Sequence, residues 1–107
     1  MALYIGFATV VDDYFREVGQ KMRSGDLQLK PFETPEPART RARELPAKLP
    51  AGCKLHGSWI PAGGIAYKEP IVTVIETDNP SHLAWFNTYY GGMFLFTWHP
   101  YVSVPRG

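Results

Sequence analysis

Two segments of this 107-residue chain read as strands without a polar face. In residues 2–9, Ala-Leu-Tyr-Ile-Gly-Phe-Ala-Thr, Leu3, Ile5 and Phe7 alternate with Tyr4, Gly6 and Ala8. Residues 71–76, Ile-Val-Thr-Val-Ile-Glu, form the most β-prone run in the chain. A strand that is apolar on both sides needs cover on both and belongs in the middle of a sheet. The chain therefore has to supply a sheet with two central strands and something to shield each face.

Helical patterning supplies part of that shield. Val11, Tyr14, Phe15, Val18 and Met22 recur at helical spacing over residues 11–24, which predicts one apolar stripe against the sheet. Asp12 and Asp13 open this segment and Lys21 and Arg23 close it, as the helix dipole favours. A second helix is expected from Asp78-Asn79-Pro80 to about Tyr90, capped by Asp78 or Asn79 and stopped by Gly91-Gly92. Leu83, Phe86 and Tyr90 face the sheet in this reading, while Trp85 and Tyr89 form a different stripe that needs its own partner. Residues 53–60 read as a second strand, with Cys53, Leu55, Gly57 and Trp59 on one side and Lys54, His56, Ser58 and Ile60 on the other. Pro61-Ala62-Gly63-Gly64 is a turn. Residues 93–104 read as the last strand, with Pro100 marking an edge, a bend or a bulge.

Between the first helix and the second strand lies a Pro-rich excursion, about residues 25–51. Pro31, Pro35, Pro37, Pro46 and Pro50 interrupt any long element, and only Ala38 to Leu45 leaves room for a turn or two of helix. No sheet strand is expected there. A lid, an arm to a partner subunit and a plain surface loop all fit such a connection.

The resulting order, strand, helix, strand, strand, helix, strand, is the ferredoxin-like β-α-β-β-α-β arrangement of a single α+β domain over residues 1–107. Four features carry a closer resemblance: the short N-terminal strand, Gly52-Cys53-Lys54-Leu55-His56-Gly57-Ser58-Trp59, Val74-Ile75-Glu76-Thr77-Asp78-Asn79 leading into a helix, and an aromatic last strand reaching His99-Pro100-Tyr101-Val102. Together they resemble the dimeric α/β-barrel superfamily, and within it a group of small uncharacterised domains. The resemblance implies an antiparallel four-stranded sheet, two such sheets packed face to face across a two-fold axis, and a pocket between sheet and helices in each subunit. Members of that superfamily include small isomerases, cofactor-independent monooxygenases, chlorite dismutase-like and haem-degrading enzymes, so the fold does not fix the chemistry.

Candidate chemistry is sparse. His56 and His99 are expected acid–base groups, because imidazole titrates near neutrality. Glu76 ends an apolar strand and is expected to assist them. A hydrogen-bonded structural histidine is the alternative for each. His82 falls in the first turn of the second helix, where exposure is expected. Trp59, Trp85, Trp98, Tyr67 and Tyr101 are expected pocket walls, suited to a flat apolar or aromatic ligand, with core packing as the alternative. The aromatic load, six Phe, six Tyr and three Trp, exceeds what one small core needs and points to such a pocket or to an interface.

A homodimer or higher even oligomer that binds a small apolar or aromatic molecule is therefore expected. Cofactor-free isomerase or monooxygenase chemistry is one form of it, and a non-catalytic binding or assembly protein the alternative. A haem protein is a further alternative, since one histidine suffices as axial ligand. No other cofactor and no metal site is expected, because no histidine pair has ligand spacing and Cys53 is the only cysteine. The lone thiol suits the cytoplasm. A net charge of +1, with Arg39, Arg41 and Arg43 diluted by Glu36 and Glu44, gives no nucleic-acid footprint. No apolar run approaches the ~18 residues of a membrane span.

Overall fold

A computed structural model describes residues 1–30, 33–62 and 69–105. The elements are β1 (Ala2–Val10), α1 (Asp12–Ser24), α2 (Ala38–Lys48), β2 (Lys54–Trp59), β3 (Ile71–Thr77), α3 (Ser81–Tyr89) and β4 (Phe94–Tyr101). All strand pairs are antiparallel, in the order β2-β3-β1-β4. The two fully apolar segments, β1 and β3, are the central strands. The result is an α+β fold with an open four-stranded sheet, compatible with the ferredoxin-like arrangement. No helix among the described residues is long and apolar enough to cross a membrane. The turn expected at Gly63-Gly64 and the candidate wall Tyr67 lie outside the described residues.

One sheet face carries the core. Ala8 of β1, Ile71 and Ile75 of β3, and Phe94 and Phe96 of β4 are buried together with Tyr14 of α1, Ala38 and Leu45 of α2, and Phe86 and Tyr89 of α3. All three helices therefore contribute to the same layer. The expectation that both faces of β1 are covered is not met within the single chain: Leu3, Ile5 and Phe7, on the side away from the helices, are only half-buried.

The close approach of ring to backbone at Gly6 fixes the middle of this layer. Trp98, opposite Gly6 on β4, lays its indole on the Gly6 backbone, and a Cβ there would fall 2.5 Å from the ring. The ring is held from above by its Nε1–H, which donates to the Leu83 carbonyl at 3.1 Å. It stacks on Phe96 at 5.3 Å and meets Phe86 edge-on at 5.1 Å.

The α1 stripe is narrower than its spacing predicts. Tyr14 is buried and Val18 packs against the core, but Phe15 and Met22 face outward. Tyr14 turns its hydroxyl to the Pro35 and Glu36 carbonyls, at 3.1 and 3.2 Å, and so ties the excursion to α1. Gly25 ends the helix in the left-handed region at φ 84°, donating its N–H to the Met22 carbonyl.

Among its described residues the excursion adds no strand, but its helix is longer than the prolines suggest. Pro46 lies in the last turn of α2, where its missing N–H leaves the Ala42 carbonyl to solvent on an exposed side. This helix also supplies the partner that Tyr89 needed. The Tyr89 hydroxyl donates to the Arg41 carbonyl at 2.5 Å, Arg41 Nη1 donates back to the Tyr89 carbonyl at 3.3 Å, and the guanidinium lies 5.5 Å from the Tyr89 ring centroid. Trp85 stacks on the same ring at 4.8 Å.

The start of α3 decides between the two expected caps and corrects the expectation for His82. Asn79 is the cap: its Oδ1 accepts from the Ser81 N–H at 3.0 Å. Asp78 instead accepts from the Ala2 N–H at 3.2 Å and pins the start of β1. His82 is not exposed but 8% accessible, with Nδ1 2.6 Å from the Thr77 hydroxyl, because the turn after β3 folds the first turn of α3 back onto the strand end.

Candidate functional site

The second face of the sheet has no helix on it. Strand register places on it Leu3, Ile5, Phe7 and Thr9 of β1, Val72, Val74 and Glu76 of β3, and Leu95, Thr97, His99 and Tyr101 of β4. From β2 it takes Lys54, Gly57 and Trp59. Three of the most exposed large apolar side chains in the molecule are here: Trp59 at 56%, Leu95 at 60% and Tyr101 at 47%.

His56 reaches this face by an irregularity. Leu55 pairs with Ile75 and Gly57 with Val74, adjacent residues on β3, so His56 is the extra residue of a β-bulge on the outer strand. The bulge turns the imidazole toward β3, where Nε2 lies 2.7 Å from Glu76 Oε1. Both side chains are half-buried. The hydrogen bond from His56 holds the Glu76 carboxyl below its ordinary value of 4.5, and the charge of Lys54, directly across the strand pair, acts in the same direction. Glu76 is therefore an acceptor at neutral pH, and a neutral His56 must donate Nε2–H to it. That leaves the lone pair on Nδ1 as the free basic site of the pair.

This ionisation has a measurable signature. In a carbon-detected titration, the Glu76 carboxyl should have its midpoint below 4.5 in the native chain and move upward in His56→Ala. A depressed carboxylate contributes stability above its unfolded value and loses it as pH falls through the folded one. The pair's contribution should therefore vanish only on the acid side of the ordinary carboxylate range.

The remaining predicted site residues divide between the two faces. His99 and Tyr101 lie on the open face, and His99 meets Phe7 edge-on at 5.6 Å. They stand on β4, however, three strand spacings or roughly 14 Å from His56 and two, or roughly 10 Å, from Glu76 within the chain. Trp59 folds its ring over Gly57, beside the pair, and borders an open depression of about 500 Å³ with Ile60, Pro61 and Val72. Trp85 and Trp98 lie on the helical side of the sheet, in the aromatic layer. Lys54 was not singled out from the sequence; a glycine inside the strand, at Gly57, is the signal for the bulge that would have drawn attention to its neighbours. Among the described residues no three His, Cys, Asp or Glu side chains gather into a metal-binding cluster.

The arrangement offers a base with an oriented partner on an apolar sheet surface, and a second imidazole and a phenol at the opposite margin of the same surface. In comparisons with known proteins, a family model described as a domain of unknown function (DUF3303) matches residues 26–106. No curated protein and no solved structure matches the chain.

Proposed function

The chain belongs to the DUF3303 family, which prescribes no reaction, and on that premise we propose that it is a homodimer of the dimeric α/β-barrel kind that holds a small, largely apolar or aromatic molecule between paired open faces, with His56 and Glu76 as its acid–base pair. The observation that carries this reading is the open sheet face. Trp59, Leu95 and Tyr101 are exposed on a patch roughly 20 Å square. A contiguous apolar patch of about 400 Å², unlike singly scattered apolar side chains, marks an interaction surface. A second copy supplies the missing cover for β1 and β3 at no cost in new sequence. Enclosure would also strip water from the His56–Glu76 pair, which strengthens its electrostatics. The chemistry proposed is cofactor-free proton transfer, with Nδ1 of His56 as the base.

Light scattering at micromolar concentration should give about twice the 12.0 kDa chain mass, or a higher even multiple. Leu95→Glu combined with Thr97→Glu places two carboxylates on the open face at positions exposed in the single chain. It should yield a monomer with an unchanged far-ultraviolet spectrum. 2-Naphthol, planar and apolar with one hydroxyl, should quench tryptophan fluorescence saturably in the native protein and not in this variant. A native chain that stays monomeric at these concentrations refutes the reading.

A further inference from the structure

Strand β2, six residues long, carries a cation, an imidazole and an indole on one side of the sheet. Lys54 lies opposite Glu76, Gly57 opposite Val74 and Trp59 opposite Val72, all on the open face. In a regular strand only one of Lys54 and Trp59 could stand on that face, because an odd number of positions separates them. The extra residue of the bulge lets both do so, and that residue is His56. Along the strand the imidazole therefore has Lys54 on one side and, on the other, the Trp59 ring lying over Gly57. Glu76 leaves the Lys54 ammonium free. Its Oε1 is engaged by His56 at 2.7 Å, and Lys54 acts on the carboxylate through its charge. Among the described residues Lys54 enters no ion pair.

A charge count says what such a site can hold. Neutral His56, Lys54 and Glu76 sum to zero. The amino terminus, which also acts on Glu76, and Asp78, which accepts from the Ala2 N–H, add one charge of each sign beside them. A neutral ligand leaves this balance intact once water is excluded, whereas a carboxylate brings an unmatched negative charge next to Glu76. Proton transfer keeps the balance. The O–H bond of the ligand, or the C–H bond beside its carbonyl, breaks; the proton goes to Nδ1 of His56, and the electron pair stays on the ligand as a phenolate or enolate oxygen. The imidazolium is then paired with Glu76, and the new oxyanion with Lys54. Lys54 and His56 are two positions apart on one strand, roughly 7 Å, which the flexible four-carbon stem of the lysine can span.

We infer that Lys54 is the residue that holds the oxyanion in this site, and that the substrate is a neutral planar phenol or enolisable carbonyl compound rather than an acid already ionised. The inference rests on the acid–base pair proposed above and deepens it with a further catalytic residue and with the charge of the substrate. It calls for no particular orientation of a second copy, because Lys54, His56 and Trp59 all come from one strand.

2-Naphthol reads the site directly, because its ionised form absorbs to the red of both the neutral form and the protein. Bound to the native chain, it should ionise at a pH about one unit or more below that of the free molecule, the size of shift that one neighbouring cation produces. Lys54→Met should still bind 2-naphthol saturably but lose most of the shift, and Lys54→Arg should keep it. Lys48→Met, which removes an equal charge from the ion pair with Glu44 on α2, should leave the shift unchanged. 2-Naphthoate, the same ring bearing a carboxylate, should bind roughly tenfold more weakly than 2-naphthol or worse. A full shift in Lys54→Met, or none in a native chain that binds 2-naphthol saturably, would overturn the role of Lys54 and leave the homodimer and its ligand site standing. Naphthoate binding as tight as that of naphthol would overturn the neutral substrate. A native chain that binds no 2-naphthol would overturn this inference and the ligand site together.

Discussion

Gly6→Ala is expected to cost on the order of 2–5 kcal/mol, a large share of the stability of a domain this size. The added Cβ would sit 2.5–2.8 Å from three carbons of the Trp98 ring. The ring cannot slide aside cheaply, because its N–H is bonded to the Leu83 carbonyl and its two flanks are against Phe96 and Phe86. Moving it overpacks the aromatic layer and leaves a partly buried N–H without a partner, and both effects add. Thermal unfolding should fall by about 10 °C or more. The cause can be isolated: Gly6→Ala/Trp98→Leu removes the obstructing ring, so the double variant should lose clearly less than the sum of the two singles. A single variant within about 0.5 kcal/mol of the native chain would show that the strand and ring are not in the contact described.

Phe86→Ala should be comparably severe, about 3–5 kcal/mol. Phe86 is fully buried and meets Trp85, Phe96 and Trp98 edge-on at 5.1, 5.9 and 5.1 Å, so its removal opens a cavity whose walls are rigid rings. Phe86→Leu refills most of the volume and should recover much of the loss. Phe15→Ala provides the contrast. Phe15 shares the periodic stripe of α1 but is 48% exposed, so its truncation should change stability by about 0.5 kcal/mol or less in the isolated chain. Chemical denaturation of the three variants orders them, and a Phe15→Ala loss as large as that of Phe86→Ala would reverse the assignment of the helix face.

The contrast between these two phenylalanines marks how far the sequence was legible. Element order, the central position of β1 and β3 and the sheet face of α3 follow from local patterning, because strand alternation and helical spacing act over a few residues. What a periodic stripe does not reveal is its width: on α1 only Tyr14 is buried, with its hydroxyl bonded to the excursion, and that contact joins residues 21 positions apart. Asp78 depended on a similar long-range fact, the return of the turn after β3 to the start of β1, and His82 on the folding of that turn back onto Thr77, five positions earlier. The candidate site was half legible. His56 and Glu76 could each be picked out as titratable groups at apolar positions, but strict alternation put Leu55, Gly57 and Trp59 on one side of β2. A one-residue bulge changes the face of everything beyond it. Leu55 accordingly lies on the helical side while Gly57 and Trp59 lie on the open side, and the extra residue is the histidine that meets Glu76.

The same bulge has a bearing on how the sheet avoids growing sideways. An outer strand with an unbroken row of free amides and carbonyls is a template for another chain, and repetition of that pairing gives fibrils. On β2 the row is interrupted at His56, where the backbone bends out of step. On β4, the other outer strand, Pro100 removes an amide. Both margins are thereby poor seeds for cross-β aggregation, even though the sheet between them is rich in Val, Ile and Phe.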